Sequence, residues 1–421
     1  MKINEYIRNS IWLIADKFLV LLGGLIATTL VAKFLGPKSF GVLSYGLTLS
    51  LFLTALSQWG ASFLIFNAAA RNVSEAENII LNTLRYRILV YITCTIILST
   101  ILFFRLEYDE AKFIAAICIS NIFLGLDVYQ YYFNGSLRSS LNTRITFVAK
   151  LASIIIKLSL IAFDSDLFLF FIPILIEGGI VFFLKHNTFR KVRLTFDGKS
   201  QFDLVKVIKE GAPYLVSSFL VLAYTKANDI VLRELTSFVE VGLFSAGLLL
   251  SNAWTFIPLS VGTSFLTKAI KSKDEKDFAF TYFISILVST PVLIFIFIFP
   301  ELILRFSFGE KYRDLVELLP LLSIGSLLGV LVFLNNRHIS NYKNGGSYLI
   351  KKTCATALFS VFTSIILVHI YGIKGAVYSW VIVQLFAISL ANIFYSEIKW
   401  KVVLIQGVSM KAMLTRLKEF T

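Results

Sequence analysis

Apolar runs of about twenty residues recur from one end of the sequence to the other, each long enough to cross a hydrocarbon layer of about 30 Å as a helix. No other feature constrains the fold as strongly. A water-soluble domain of 421 residues could not carry on its surface a composition that is 57% hydrophobic and 16% charged, with a mean hydropathy of +0.78. In lipid every backbone N–H and C=O has to be satisfied inside the protein. A helix does this within each span, whereas barrel strands would be about ten residues long and would alternate in polarity. The expected fold class is all-α, a polytopic membrane protein.

The runs divide into twelve spans, beginning at residues 10–31 and 40–68 and ending at 375–395. The stretch IATTLVAKFLGPKSFGVLSYGLTLS at residues 26–50 returns as IVLRELTSFVEVGLFSAGLLLS at 230–251. With one inserted residue, Lys33 falls on Arg233, Leu35 on Leu235, Gly41 on Gly242, Ser44 on Ser245, Gly46 on Gly247 and Ser50 on Ser251. This is an internal repeat. Six spans per copy is an even number, so both copies enter the membrane the same way and are related by an axis along its normal. The pattern implies a transporter of two lobes with its site at their interface. The expected organisation is a six-helix lobe over residues 1–200 with a linker from Lys185, a second six-helix lobe over 201–396, and a basic amphipathic tail over 397–421.

Most of the 40 Lys and Arg residues lie before the first span, after each even span and after the last one, which sets both termini in the cytoplasm. The net charge of +14 is then mainly a collar facing anionic lipid. Its bases are scattered over short loops without interleaved aromatics, which argues against a nucleic-acid partner. The first apolar segment carries Asp16 and Lys17 and lacks a small-residue cleavage site, so it is expected to remain as a span. Cys94, Cys118 and Cys354 fall inside spans and read as packing residues. Short interfacial helices are expected where Leu204, Val207 and Ile208 share a face, and in the tail, where Met410, Met413, Leu414 and Leu417 recur at helical spacing beside Lys411, Arg416 and Lys418.

Ionisable groups inside spans are the most informative, because each is costly unless it meets a partner or a wet cavity. They are Asp16 and Lys17 in span one, Asp127 in span four, Lys150 and Lys157 in span five, Glu177 in span six, and Lys226 and Asp229 in span seven. Lys150 and Lys157 are two helical turns apart on one face, about 10 Å along the axis, with Arg144 at the entrance of that helix. One reading is a cationic track for an anionic head group. The other has Lys150 snorkelling to the surface and Lys157 paired with Asp127 or Glu177. Lys226 and Asp229, one turn apart, can neutralise each other. The candidates for substrate binding are Lys17, Lys157, Lys226, Lys150 and Arg144; those for ion coupling or charge pairing are Asp16, Asp127, Glu177 and Asp229. The cluster Tyr129, Tyr131, Tyr132 and Phe133 fits either stacking on a sugar or an interfacial aromatic belt.

Enzyme signals are weak. His186, His338 and His369 have no metal-ligand spacing, and there is neither a Walker lysine loop nor a pair of aqueous carboxylates, so no cofactor, metal or ATP hydrolysis is expected. LGPKSFGVLSYG at residues 35–46, GAPYLVSS at 211–218, NDIVLRELTS at 228–237, VGLFSAG at 241–247 and FGEKY at 308–312 resemble, in order, landmarks of the polysaccharide-biosynthesis flippases. These are O-antigen type transporters of the multidrug/oligosaccharidyl-lipid/polysaccharide exporter superfamily. The resemblance implies two six-helix lobes around a central cavity lined by spans one, two, seven and eight. It also implies movement of an undecaprenyl-diphosphate-linked oligosaccharide, an O-antigen or capsule repeat unit, to the outer face of a bacterial inner membrane. A polysaccharide polymerase and a chain-length regulator are the partners it implies. The rival readings are a drug/cation antiporter of the same superfamily, which would call for acidic cavity groups, and a membrane polysaccharide polymerase or ligase, which would call for a sizeable outward loop.

Overall fold

The computed structural model describes residues 3–193, 203–272, 274–395, 398, 400 and 403, with side chains from Gly23 onward and without that of Ile393. Among them there are helices and no strand. Among the described residues nine helices are long and apolar enough to cross a membrane, and two bent pairs raise the number to eleven. The first helix is counted once in that number, and a break in its backbone at Gly36 divides it into two arms. The apolar surface faces outward. Phe104 is 87% exposed and Phe163 83%, as expected where lipid rather than water is the solvent. The chain divides into two compact units, residues 1–222 and 223–421.

In the first unit, α1 (Ile3–Gln58) carries spans one and two. Gly36 sits at φ 74° and ψ 173°, a conformation open to glycine, and Pro37 then opens the second arm with a φ already suited to a first helical turn. The second arm ends at Trp59 and Gly60, both at positive φ, and α2 (Ala61–Arg71) continues from there. A side chain at Gly60 would meet the carbonyl of Gly211, and one at Gly211 would meet Trp59, so the two glycines mark a close backbone approach. Next, α3 (Val73–Arg105) starts from Asn72, whose side chain accepts from the N–H of Ser74 at 3.1 Å. Span four is broken into α4 (Tyr108–Ser120), α5 (Ile122–Gly125) and α6 (Tyr129–Gly135), with a bend of 41°. Span five is α7 (Ser139–Ala162), and a 3₁₀ turn at Leu167–Phe171 leads into α8 (Ile172–Val192).

Two expected boundaries move. Span six was expected to end at Leu184, yet α8 runs on to Val192, because Lys185 and Phe189 are both buried within the unit. The expected interfacial helix at 204–208 is the unbroken start of α9 (Leu204–Leu235), held where the indole N–H of Trp59 donates to the carbonyl of Ile208 at 3.0 Å. The expected tail helix, with Met410, Met413, Leu414 and Leu417, lies outside the described residues.

The boundary between the units falls within α9. In the second unit, α10 (Phe238–Ala253) is capped by Ser237, and α11 (Phe256–Ser272) continues span eight after a bend of 48°. Asp274 caps α12 (Glu275–Ile298) as Asn72 caps α3, accepting from the N–H of Lys276 at 2.8 Å. The short α13 (Pro300–Ser307) and a 3₁₀ turn at Glu310–Leu315 precede α14 (Leu319–Ile339), followed by α15 (Gly345–Tyr371), α16 (Ile373–Ile388) and α17 (Leu390–Ile393). The FGEKY landmark folds between α13 and α14: Gly309 turns at φ 80°, and the buried rings of Phe308 and Tyr312 pack 4.9 Å apart.

The repeat can be seen inside each unit. A side chain at Gly46 would meet Ile117 of α4, and one at Gly247 would meet Leu322 of α14. One turn on, the amide of Asn121 donates to Ser50 Oγ at 2.6 Å, and Ser326 Oγ donates to Ser251 Oγ at 3.0 Å. Ser50 and Ser251 each donate in turn to a carbonyl three residues back, those of Leu47 and Leu248.

Candidate intramembrane charge site

Spans four, five and six bring the charges of the first unit together. On α8, Glu177 and Lys185 are eight residues apart and share a face, as Lys150 and Lys157 do on α7. Glu177 meets Lys150 at 2.5 Å, and Lys185 Nζ donates to Asp127 Oδ2 at 2.5 Å. The second pair is the more deeply buried, with the side chains of Lys185 and Asp127 only 2% and 5% exposed. Asp127 Oδ1 has no hydrogen-bond donor among the described residues. Asp127 lies at the break between α5 and α6, where the chain leaves helical geometry and a side chain can turn inward.

Lys157 differs from its neighbours. It is half-buried and has no ion-pair partner within 4 Å among the described residues; the charges it feels are the opposite one of Glu177 and the like one of Lys150. Neither pairing anticipated for Lys157 is formed, since Asp127 is taken by Lys185 and Glu177 by Lys150. Arg144 is on the exposed side of α7. In α9, Lys226 Nζ donates to Asp229 Oδ2 at 2.8 Å; the lysine side chain is 30% exposed and the aspartate 1%. The side chains of Asp16 and Lys17 lie outside the described residues.

The aromatic cluster is neither a sugar platform nor a belt. Tyr129 bonds His186 Nδ1 at 2.7 Å, Tyr131 donates to Gln58 Oε1 at 2.9 Å, and Tyr132 donates to Glu77 Oε1 at 2.7 Å, while Phe133 is fully buried among α2, α3 and α6. Three functional-looking residues were missed from sequence. Lys185 and Glu77 are buried partners, and Arg87 of α3 is 4% exposed, with Nε donating to Thr83 Oγ1 at 3.0 Å and Nη1 donating to the carbonyls of Ser57 and Gln58. The available signal was spacing: Lys185 lies two turns beyond Glu177, and Arg87 lies one turn beyond Thr83.

No metal-binding cluster of His, Cys, Asp and Glu occurs among the described residues. Chemically, the arrangement offers two neutralised pairs and one half-buried lysine without an ion-pair partner among the described residues, which suits transient contact with an anion.

Comparison with known proteins gives the site its context. A family model described as "Polysaccharide biosynthesis protein" matches residues 6–264. No curated protein matches the chain in sequence. Among solved structures, a multidrug resistance transporter of the MATE family and MOP superfamily, in an inward-facing conformation, is similar at a TM-score of 0.67 and 17% identity, covering 95% of this chain and 96% of the other. A MOP superfamily transporter from Pyrococcus furiosus is similar at 0.55 and 13%, covering 95% and 96%. The lipid II flippase MurJ, in an inward closed conformation, is similar at 0.52 and 14%, covering 98% of each chain. At these identities the likeness is one of fold.

Proposed function

The chain belongs to the polysaccharide biosynthesis protein family, and from that premise we propose that it is a flippase that carries an undecaprenyl-diphosphate-linked oligosaccharide from the cytoplasmic to the outer face of the bacterial inner membrane. The observation that supports this reading most directly is the family match, on a chain whose fold is shared with transporters, one of them a lipid flippase. The positions of Lys and Arg favour both termini on the cytoplasmic side. Transport proceeds by alternating access, drawing on an ion gradient, and the glycan is an O-antigen or capsule repeat unit. A polysaccharide polymerase and a chain-length regulator act beside it.

In this mechanism Lys157 is a cationic station for the diphosphate. A low-dielectric setting strengthens its attraction, and separated single charges let the ligand leave again. Lys226 is a second station that exchanges Asp229 for the substrate, and Lys17 is a third. Lysine suits this role as a point charge on a flexible stem, where an arginine fork would fix the geometry. Lys150, held by Glu177, sets the field around Lys157, and Asp127 and Asp229 are the carboxylates available for ion coupling.

Complementation tests the reading. Cells lacking a polysaccharide flippase regain surface polysaccharide when they express the chain, and Lys157→Ala lowers that recovery at matched protein level. A correctly inserted chain that restores no polysaccharide with any cognate lipid-linked glycan, yet exports cationic dyes, would establish the drug/cation antiporter instead; the similarity to a multidrug transporter keeps that reading in play.

A further inference from the structure

A cavity of about 300 Å³ opens in the first unit between the end of α1, the middle of α3 and the first turns of α9. Its walls are apolar, formed chiefly by Leu56, Val90, Leu204, Val207 and Ile208, and Arg87 lines it as well. The other polar groups in the wall are committed to the backbone. Ser57 Oγ donates to the carbonyls of Thr54 and Gly125, Thr83 Oγ1 to that of Ile79, and the Trp59 indole to that of Ile208. The guanidinium of Arg87 is bonded through Nε and Nη1 only, which leaves Nη2 without a partner among the described residues, and no carboxylate lies within ion-pairing distance among them. The two carbonyls it meets close the second arm of α1, and a helix end supplies at most about half a negative charge. A net positive charge therefore remains beside an apolar cavity in a membrane unit, where charged residues usually serve a ligand.

We propose that this cavity is a loading site for a single-chain anionic lipid of the polyprenyl phosphate class, with the first isoprene units against Leu56, Val90 and Val207 and a phosphate oxygen on Arg87. The assignment rests on the flippase reading for the identity of its ligand. The volume selects a single-chain lipid, and two further features suit its entry. The volume lies at the lower end of the range for small-ligand pockets, about 300–1,000 Å³, which suits one hydrocarbon segment rather than two. Tyr86 and Ile208, which also line the cavity, are 50% and 43% exposed, so the cavity opens at the surface of the unit, where a lipid can enter it. Arg85 and Lys209, both exposed, flank the lining positions in sequence and attract anionic headgroups to the mouth, while Lys206 is paired with Glu210 at 3.9 Å. The carrier would dock here before its head reaches the lysines further in.

The test uses the full-length protein in nanodiscs of phosphatidylcholine, with undecaprenyl phosphate as the probe and binding followed by native mass spectrometry. Val90→Trp fills the cavity and leaves the bonds of Arg87 in place; Val207→Trp does the same from the opposite wall. Each is expected to weaken binding at least tenfold with an unchanged melting profile, and Arg87→Gln to weaken it similarly, while Leu358→Ala, on the exposed face of α15, leaves it unchanged. Wild-type affinity in whichever tryptophan variant folds normally would overturn the site. So would displacement of the probe by phosphatidylglycerol at equal concentration, which would make this an ordinary phospholipid contact. If complementation fails while binding persists and remains sensitive to Val90→Trp, the flippase reading falls and the site stands.

Discussion

The two units share their skeleton and differ in their charges. Gly46 and Ser50 of the first meet Ile117 and Asn121, while Gly247 and Ser251 of the second meet Leu322 and Ser326, with the same one-turn spacing on both partners. In contrast, the first unit buries Asp127 with Lys185 and pairs Glu177 with a half-buried Lys150, both between different helices. In the second unit the pair Lys226–Asp229 sits within one helix, and the long buried polar ladder of α12, Thr281, Ser285 and Ser289, is neutral and bonded to its own backbone. Small residues at helix crossings preserve a packing geometry whatever surrounds them, because they fix how closely two backbones approach. Charges are free to diverge, since each needs only a local partner. The repeat is thus a scaffold on which the two units carry differently arranged charges.

The largest expected effect separates the units by charge. Asp127→Asn strands the buried ammonium of Lys185 and should cost about 3 kcal/mol or more, seen as loss of monodisperse protein and a lowered melting temperature in detergent. Lys185→Met added to it should recover most of the loss. Asp229→Asn, which leaves behind Lys226 with a flexible side chain already 30% exposed, should cost far less. Equal losses from the two cuts would show that the pairs are equivalent and erase the asymmetry.

The next effect tests the shared skeleton. Gly46→Leu and Gly247→Leu each force a branched side chain where an added Cβ already meets a neighbour within 3 Å, and each should cost about 1–3 kcal/mol. The measurement is again thermal melting, and the two losses should agree closely. A defect confined to one unit would mean that the glycines are related by sequence without sharing a structural role.

What was legible in the sequence was what period and identity can carry. The apolar runs gave the spans, and the returning Gly and Ser positions gave the crossings, because small residues at fixed intervals have a direct geometric meaning. Lys185 and Arg87 were lost for one reason. Both lie at the edge of an apolar run, where a hydropathy reading cannot tell a solvated loop charge from a buried one, and the helices continue past the point where the run ends. Lys150 was legible as an intramembrane charge, but its partner was not, because pairing depends on which faces of α7 and α8 meet. The tyrosines of α6 misled in the opposite sense: three neighbouring hydroxyls look like a binding surface, yet each already has a side-chain partner within the unit.

The smallest expected effect is the most discriminating, because it asks whether equivalent serines do equivalent work. Ser50 accepts from the amide of Asn121, a donor that cannot turn to its own helix without moving the whole side chain; Ser50→Ala leaves that N–H buried and should cost about 1–3 kcal/mol. Ser251 accepts from the hydroxyl of Ser326, which can rotate to a carbonyl one turn back on α14, so Ser251→Ala should cost only about 0.5–1 kcal/mol. Double-mutant cycles sharpen the difference. Adding Asn121→Ala to Ser50→Ala should return part of the loss, because the stranded donor is removed, whereas adding Ser326→Ala to Ser251→Ala should return almost nothing. Matching coupling energies in the two cycles would show that the repeat conserves interaction strength as well as position; unequal ones, with the larger in the first unit, would show that the unit whose ion pairs join different helices also carries the stiffer crossing.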